Sequence, residues 1–276
     1  MNHLFRELAP VSAAGWRAIE DEAKRTLRTM LAARKLADFN GPQGWEASAV
    51  GTGRVQPLTP PPAPQEGVEA RLRRVLALVE LRVPFEMRRS ELDAIDRGAK
   101  DADTAPVTEA ARKIAIAEDR AVFHGYAAAG IRGICETEPG MALDLGESVQ
   151  GYPNLLARAL NKLRNRGVGG PFAIALSEAC YTGLTEATEA GYPVLEHVRR
   201  LVDGPIVWAP GLDGALVLSM RGGDFELTVG QDFSIGYLGH DAERVRLYIE
   251  ESFTFWNISP HAAVSLAARQ GGSPAA

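Results

Sequence analysis

The chain has 276 residues, about 1.8 domains' worth at roughly 150 residues each. Its 30 Lys and Arg stand against 35 Asp and Glu, a formal net charge of −5, with 46% apolar and 24% charged residues. That balance supplies a core and excludes wholesale disorder, while the missing basic excess argues against a dedicated nucleic-acid binder. The opening segment carries Glu7 and lacks the apolar stretch of a secretory signal, and no run reaches the ~18 apolar residues of a membrane span. Cys135 and Cys180 stand far apart without a partner motif, the pattern of reduced, partly buried thiols in a cytoplasmic protein.

Trp16, Ile19, Ala23, Leu27, Met30 and Leu31 recur at three- and four-residue steps and predict a helix with one apolar stripe, Ser12 as its N-cap. Acidic Glu20, Asp21 and Glu22 precede basic Lys24, Arg25 and Arg28, the order that the helix dipole favours. Asn40-Gly41-Pro42 stops regular structure. Residues 49–58 and 75–85 read as two β segments flanking a loop tip with five prolines between positions 57 and 64. An isolated two-stranded arm is marginal in water, so it calls for a partner surface.

Residues 106–129 carry the longest helical pattern, with Glu118 near its apolar stripe and Asp119 beside it; a salt bridge from Glu118 to Arg120 or another base is the expected arrangement. Helices are then predicted over 152–166, with Gly167 past the end, over 178–189 behind a Ser177 cap, and over 194–202. Strands are predicted over 172–176, 206–209, 215–220, 225–229, 233–238, 245–258 and 262–267. Arg221-Gly-Gly-Asp224 reads as a turn between two strands. Residues 269–276 read as a flexible terminus.

Chemistry-bearing constellations are missing from this sequence. His3, His124, His197, His240 and His261 show neither His-x-x-x-His nor His-x-His spacing, so no metal site is expected. No G-x-S-x-G elbow exists, Cys180 has no histidine near it in sequence, and Gly167-Val-Gly-Gly170 lacks the following Lys-Ser/Thr of a phosphate loop. Gly51-Thr-Gly53 opens onto a strand rather than a helix. No catalytic residue is assigned, and a chain with a protruding arm and no catalytic constellation reads as built for contacts rather than turnover.

Many segments together resemble the shell proteins of encapsulin nanocompartments of the first, linocin-like family. Leu8-Ala-Pro10 with Trp16 and Ile19 is similar to their N-terminal helix, followed by Ala33-Arg34-Lys35, Leu36-Ala-Asp38-Phe39 and Gly41-Pro-Gln-Gly-Trp45-Glu46. Glu80-Leu-Arg-Val-Pro-Phe85, Ala117-Glu-Asp-Arg120, Gly170-Pro-Phe172, Gly191-Tyr-Pro193, Gly230-Gln-Asp-Phe-Ser-Ile-Gly-Tyr237 and Glu251-Ser-Phe-Thr-Phe255 continue it, so that the resemblance covers about residues 4–266. The resemblance implies an α+β fold like the HK97 phage capsid protein. A peripheral domain would take residues 1–46, 85–134 and 223–255, an extended loop 47–84, and an axial domain 135–222 with 256–268, leaving 269–276 as the tail. Identical chains would close into an icosahedral shell of about sixty copies.

The resemblance further implies a container rather than an enzyme, residing in the bacterial cytoplasm and holding a cargo protein by its C-terminal targeting peptide. A ferritin-like protein serving iron storage or a dye-decolourising peroxidase is the expected cargo, with neither membrane nor nucleic acid as partner. The peptide dock carries over onto Leu27, Met30, Leu31, Arg34, Leu36, Asp38 and Phe39, completed by Phe233, Ile235 and Tyr237, with Arg34 and Asp38 fixing register. On that reading, aspartate at Leu36 and Ile235 empties the shell without breaking it. A fivefold pore would be rimmed by Thr188, Glu189, Ala190, Gly191 and Tyr192. Ser90 replaces the tryptophan on which some relatives stack a flavin, so no cofactor is expected. The alternative implied by the same fold is a phage or prophage capsid protein packaging DNA.

Overall fold

The computed structural model describes residues 3–58, 65, 67–146, 149–189 and 191–267. The first helix, α1 (Ala13–Met30), starts where Ser12 Oγ accepts from Gly15 N at 3.0 Å. A short strand β1 (Asp38–Asn40) precedes β2 (Ala49–Pro57), β3 (Arg71–Ala77) and β4 (Val79–Arg88), and helices α2 (Arg89–Asp96) and α3 (Ala105–His124) follow. Next come β5 (Leu143–Asp144), α4 (Tyr152–Asn165), β6 (Phe172–Leu176), α5 (Glu178–Glu186), β7 (Thr188–Glu189), β8 (Tyr192–Pro193) and α6 (Val194–Arg199). The last part is all strand: β9 (Ile206–Trp208), β10 (Ala215–Ser219), β11 (Phe225–Val229), β12 (Ser234–His240), β13 (Arg244–Asn257) and β14 (Ala263–Ala267).

These strands build two five-stranded sheets. One runs β1-β11-β13-β12, with β4 also paired to β13, and the other runs β5-β14-β10-β6-β9. Every residue of β6 and β10 is buried, which explains why both read as short continuous apolar runs. The early half of β13 alternates instead, turning Val245, Leu247 and Ile249 onto a core shared with Ile19 and Ala23 of α1 and Ile114 of α3. A second core surrounds β6 and β10, takes Leu156, Leu160 and Leu163 from α4, and reaches Phe225, Phe253 and Phe255 of the first sheet. Within β12, Gly236 is fixed by packing, because a Cβ there would collide with the Tyr248 ring.

The expected arm is present: β2 and β3 pair with each other as a separate two-stranded sheet. Much of the proline-rich tip, residues 59–64, and the tail at 269–276 lie outside the described residues. Sequence and structure differ at several boundaries. The second arm segment begins at Arg71, not 75, and Leu78 separates it from β4; Val79–Pro84, expected inside the extended loop, pair with β13. The long helix stops at His124 rather than 129. There Gly125 takes φ +84°, and the chain turns back to bridge Tyr126 to Ile131. The helix after Ser177 ends at Glu186 rather than 189, because Thr188 and Glu189 leave it to pair with β8, and α6 ends three residues early at Arg199. Arg221–Asp224 is the expected turn between two strands, β10 and β11, which belong to different sheets, and it is held by Arg221 donating to Asp224 at 2.8 and 2.9 Å. Helix α2 and strand β1 carry too short a pattern to be read in the sequence.

Candidate functional site

Where α1 passes over the end of β12, a groove of about 440 Å³ opens. The apolar stripe of α1 supplies Leu27 and Leu31, β12 and its approach supply Ile235 and Phe233, and Ile249 comes from β13. The N-terminal segment closes one end: Leu4 O accepts from Tyr237 N at 2.9 Å, and Arg6 pairs with Glu20 while its guanidinium lies 4.1 Å from the Trp16 ring.

Of the dock residues expected from the sequence, Leu27, Leu31, Phe233 and Ile235 come together on this groove. Met30 is buried in the core below. Leu36, 3% exposed, belongs to the other core and does not reach the groove, so aspartate there would break the fold rather than empty a site. Asp38 is occupied within the chain, its Oδ2 accepting from Gly223 N at 2.6 Å. Phe39 is exposed on β1, outside the groove lining, and Tyr237 is half-buried with its hydroxyl on His240 Nδ1.

Arg34 differs most from expectation. Its Nε and Nη2 donate to Glu118 at 2.9 and 2.6 Å, Nη2 also donates to Glu251 at 3.0 Å, and Nη1 donates to Asp232 at 2.7 Å. The guanidinium lies 4.4 Å from the Phe233 ring centroid, so its charge is spent inside the protein rather than offered to a ligand. Glu118 thus bridges Arg34, not Arg120, which pairs with Asp213 at 3.4 Å. Burial, then the charge of Glu118 beside it, holds the Glu251 carboxyl well above the usual carboxylate range. Through Asp232 and Phe233 this cluster braces one wall of the groove.

Asp119 plays a part that no local pattern reveals: it accepts from Ala32 N at 3.0 Å and Ala33 N at 2.9 Å, pinning the turn after α1. Burial, assisted by Glu118, pushes its carboxyl up to about 7, against the opposing pull of the two amides and Lys35. A raised acid contributes stability that is complete at low pH and lost as pH rises through about 7. Asp119→Asn, which keeps an acceptor for the amides, is expected to flatten the pH dependence of the urea unfolding midpoint between about pH 4 and 7. An unchanged slope would contradict this assignment.

The expected pore segment forms a short ladder, Thr188 opposite Pro193 and Glu189 opposite Tyr192. Gly191 takes φ +81°, the Tyr192 ring is exposed and stacks 5.9 Å from His197, and Ala190 lies outside the described residues. Ser90 borders a cleft with Arg88, Arg89, Asp93 and Arg244 and no aromatic ring. Among the described residues no His, Cys, Asp or Glu cluster could hold a metal ion, and no helix is long and apolar enough to cross a membrane.

Comparison with known proteins places these features. Residues 1–254 match the Linocin_M18 family, described as "Encapsulating protein for peroxidase". A type 1 encapsulin shell protein of Rhodospirillum rubrum is 57% identical over 270 residues, covering 96% of each chain. The chain belongs to the type 1 encapsulin shell proteins. A second relative in this family, from Mycobacterium tuberculosis, is 48% identical over 266 residues, covering 96% of this chain and 99% of that one. Among solved structures, the virus-like particle from Pyrococcus furiosus superposes with a TM-score of 0.63 at 18% identity, covering 91% of this chain and 98% of that one. The capsid of Myoviridae phage XM1 gives 0.52 at 10% identity, covering 86% and 90%. These two show the fold, that of HK97-like capsid proteins. Encapsulin family membership makes this a shell-forming chain, with the arm as the element a lone subunit leaves uncovered.

Proposed function

We propose that the chain closes into an icosahedral container of about sixty copies in the bacterial cytoplasm, and that the groove between α1 and β12 seats the C-terminal targeting peptide of a cargo protein. The observation that carries this reading is the groove itself: an apolar trough of about 440 Å³ beside an edge strand, the setting in which an extended peptide gains backbone and side-chain contacts together. A peroxidase fits the description of the family, and a ferritin-like iron-storage protein is the other cargo class we retain. Catalysis belongs to the cargo. Small solutes would pass a fivefold opening rimmed by the β7–β8 ladder. A flavin has no ring to stack on beside Ser90, so we assign no cofactor. A DNA-packing capsid shares the fold, but the net charge of −5 and the shell-protein relatives favour the container.

The test blocks the groove without disturbing either core. Ser234 lines the groove and is only half-buried. In particles purified after co-expression with a tailed peroxidase, Ser234→Trp is expected to lower cargo per particle about tenfold, a cost of about 1.4 kcal/mol in peptide affinity, with particle yield unchanged. Equal loading in both particles would overturn the groove as the cargo seat.

A further inference from the structure

The N-terminal segment crosses the edge of β12 and is held on both sides of Leu4. Leu4 itself, 9% exposed, lines the groove beside Leu27, Ile235 and Ile249, and its carbonyl accepts from Tyr237 N at 2.9 Å. Ahead of it, the His3 ring stacks on Trp45 with centroids 4.6 Å apart, and Nε2 lies 3.3 Å from the buried carboxylate of Glu250. Behind it, Arg6 pairs with Glu20 and lies over the Trp16 ring.

Between these latches the backbone is strained. Phe5 takes φ 50° and ψ 29°, and it is the one residue other than glycine with positive φ among the described residues. That region crowds Cβ against the following carbonyl oxygen, and a phenylalanine side chain makes no local hydrogen bond to compensate. The Phe5 ring is exposed, so the bend is imposed by the contacts of His3, Leu4 and Arg6 rather than by packing of the ring. Strain held in place by neighbours marks clamps and switches. The latched segment also stands where a peptide would have to lie. The strand period of two turns the N–H of Ile235 toward the same edge as that of Tyr237, so a peptide pairing with Ile235 and running on along β12 meets Leu4.

We propose that His3–Arg6 is a displaceable strap that fills one end of the groove in the lone chain and is lifted by the incoming cargo peptide. The proposal rests on the groove being the cargo seat and adds the internal competitor that a cargo must displace. A peptide that supplies an aliphatic side chain against Leu27, Ile235 and Ile249 and a carbonyl for Tyr237 N replaces what Leu4 gives up. A chain that offers only one of these leaves the strap closed. Opening also relaxes Phe5, which returns part of the cost of breaking the latches. The strap therefore sets a threshold for loading and narrows the set of tails that the groove accepts.

Two substitutions outside the groove lining move the strap in opposite directions. His3→Ala removes one latch, while Glu250 keeps Arg82 at 2.6 Å and Gln231 at 3.0 Å. Phe5→Gly removes the strain of the closed strap, less the extra freedom that glycine gains when it opens. The parent and both variant shells are each co-expressed with a limiting amount of a fluorescent reporter ending in the C-terminal tail of the tailed peroxidase, and with the same reporter without a tail. Fluorescence per purified particle is then read. Relative to the parent, His3→Ala is expected to raise loading of the tailed reporter about threefold and Phe5→Gly to lower it about threefold, the scale of one weak contact. Any other order of the three shells, with the tail still loading above the tailless reporter, would overturn the strap while leaving the peptide seat standing. A tailed reporter that loads no better than the tailless one in all three shells would remove the peptide seat and the strap with it.

Discussion

Arg34→Ala is expected to destabilise the subunit by about 3–5 kcal/mol, the range for removing one partner of a buried ion pair. Glu118 and Glu251 are both 0% exposed, and the guanidinium of Arg34 is the only cation within ion-pairing distance of either among the described residues. Without it, one carboxylate is left buried and uncompensated, and the brace from Asp232 and Phe233 to α3 is lost. The change is expected as a fall in the urea unfolding midpoint together with reduced soluble yield. Arg34→Lys is expected to recover only part of the loss, because an ammonium cannot reproduce the fork that reaches three carboxylates. An alanine variant within about 1 kcal/mol of the parent would place it in the class of solvated surface pairs and contradict the network.

The second large effect concerns the arm. Val55 and Val75 lie on one face of β2–β3 and Leu72 on the other, and all three are more than half exposed in the lone chain. Burying side chains of this size contributes about 1.5–3 kcal/mol each, and in a shell that contribution recurs at every subunit. Replacing all three by serine is expected to leave a folded subunit with unchanged far-ultraviolet circular dichroism while abolishing closed particles. Sedimentation velocity checks this directly. Particles of parental size from the triple variant would show that the arm does not carry assembly.

The sequence made the arm legible because its signals are local: strand residues on both sides of prolines that cannot join a ladder. Strand β6 and the α1 stripe were equally plain, since burial in each follows one uniform pattern. Arg34 was not. Its partners Glu118 and Glu251 lie 84 and 217 residues away, and only the meeting of α3 with β13 shows that the guanidinium is consumed internally. Leu31 and Leu36 look alike in the sequence, yet one lines the groove and the other sits in the second core. The Arg221–Asp224 turn shows the same difficulty, since a turn does not say whether the next strand joins the same sheet.

The central claim is that this chain closes on itself into a hollow container. Electron microscopy of the purified protein tests it most directly. Closed hollow particles of one size with icosahedral symmetry, their walls built with each arm lying against a neighbouring subunit, are the expected result. Free subunits, small open oligomers, or particles filled with DNA would contradict the account.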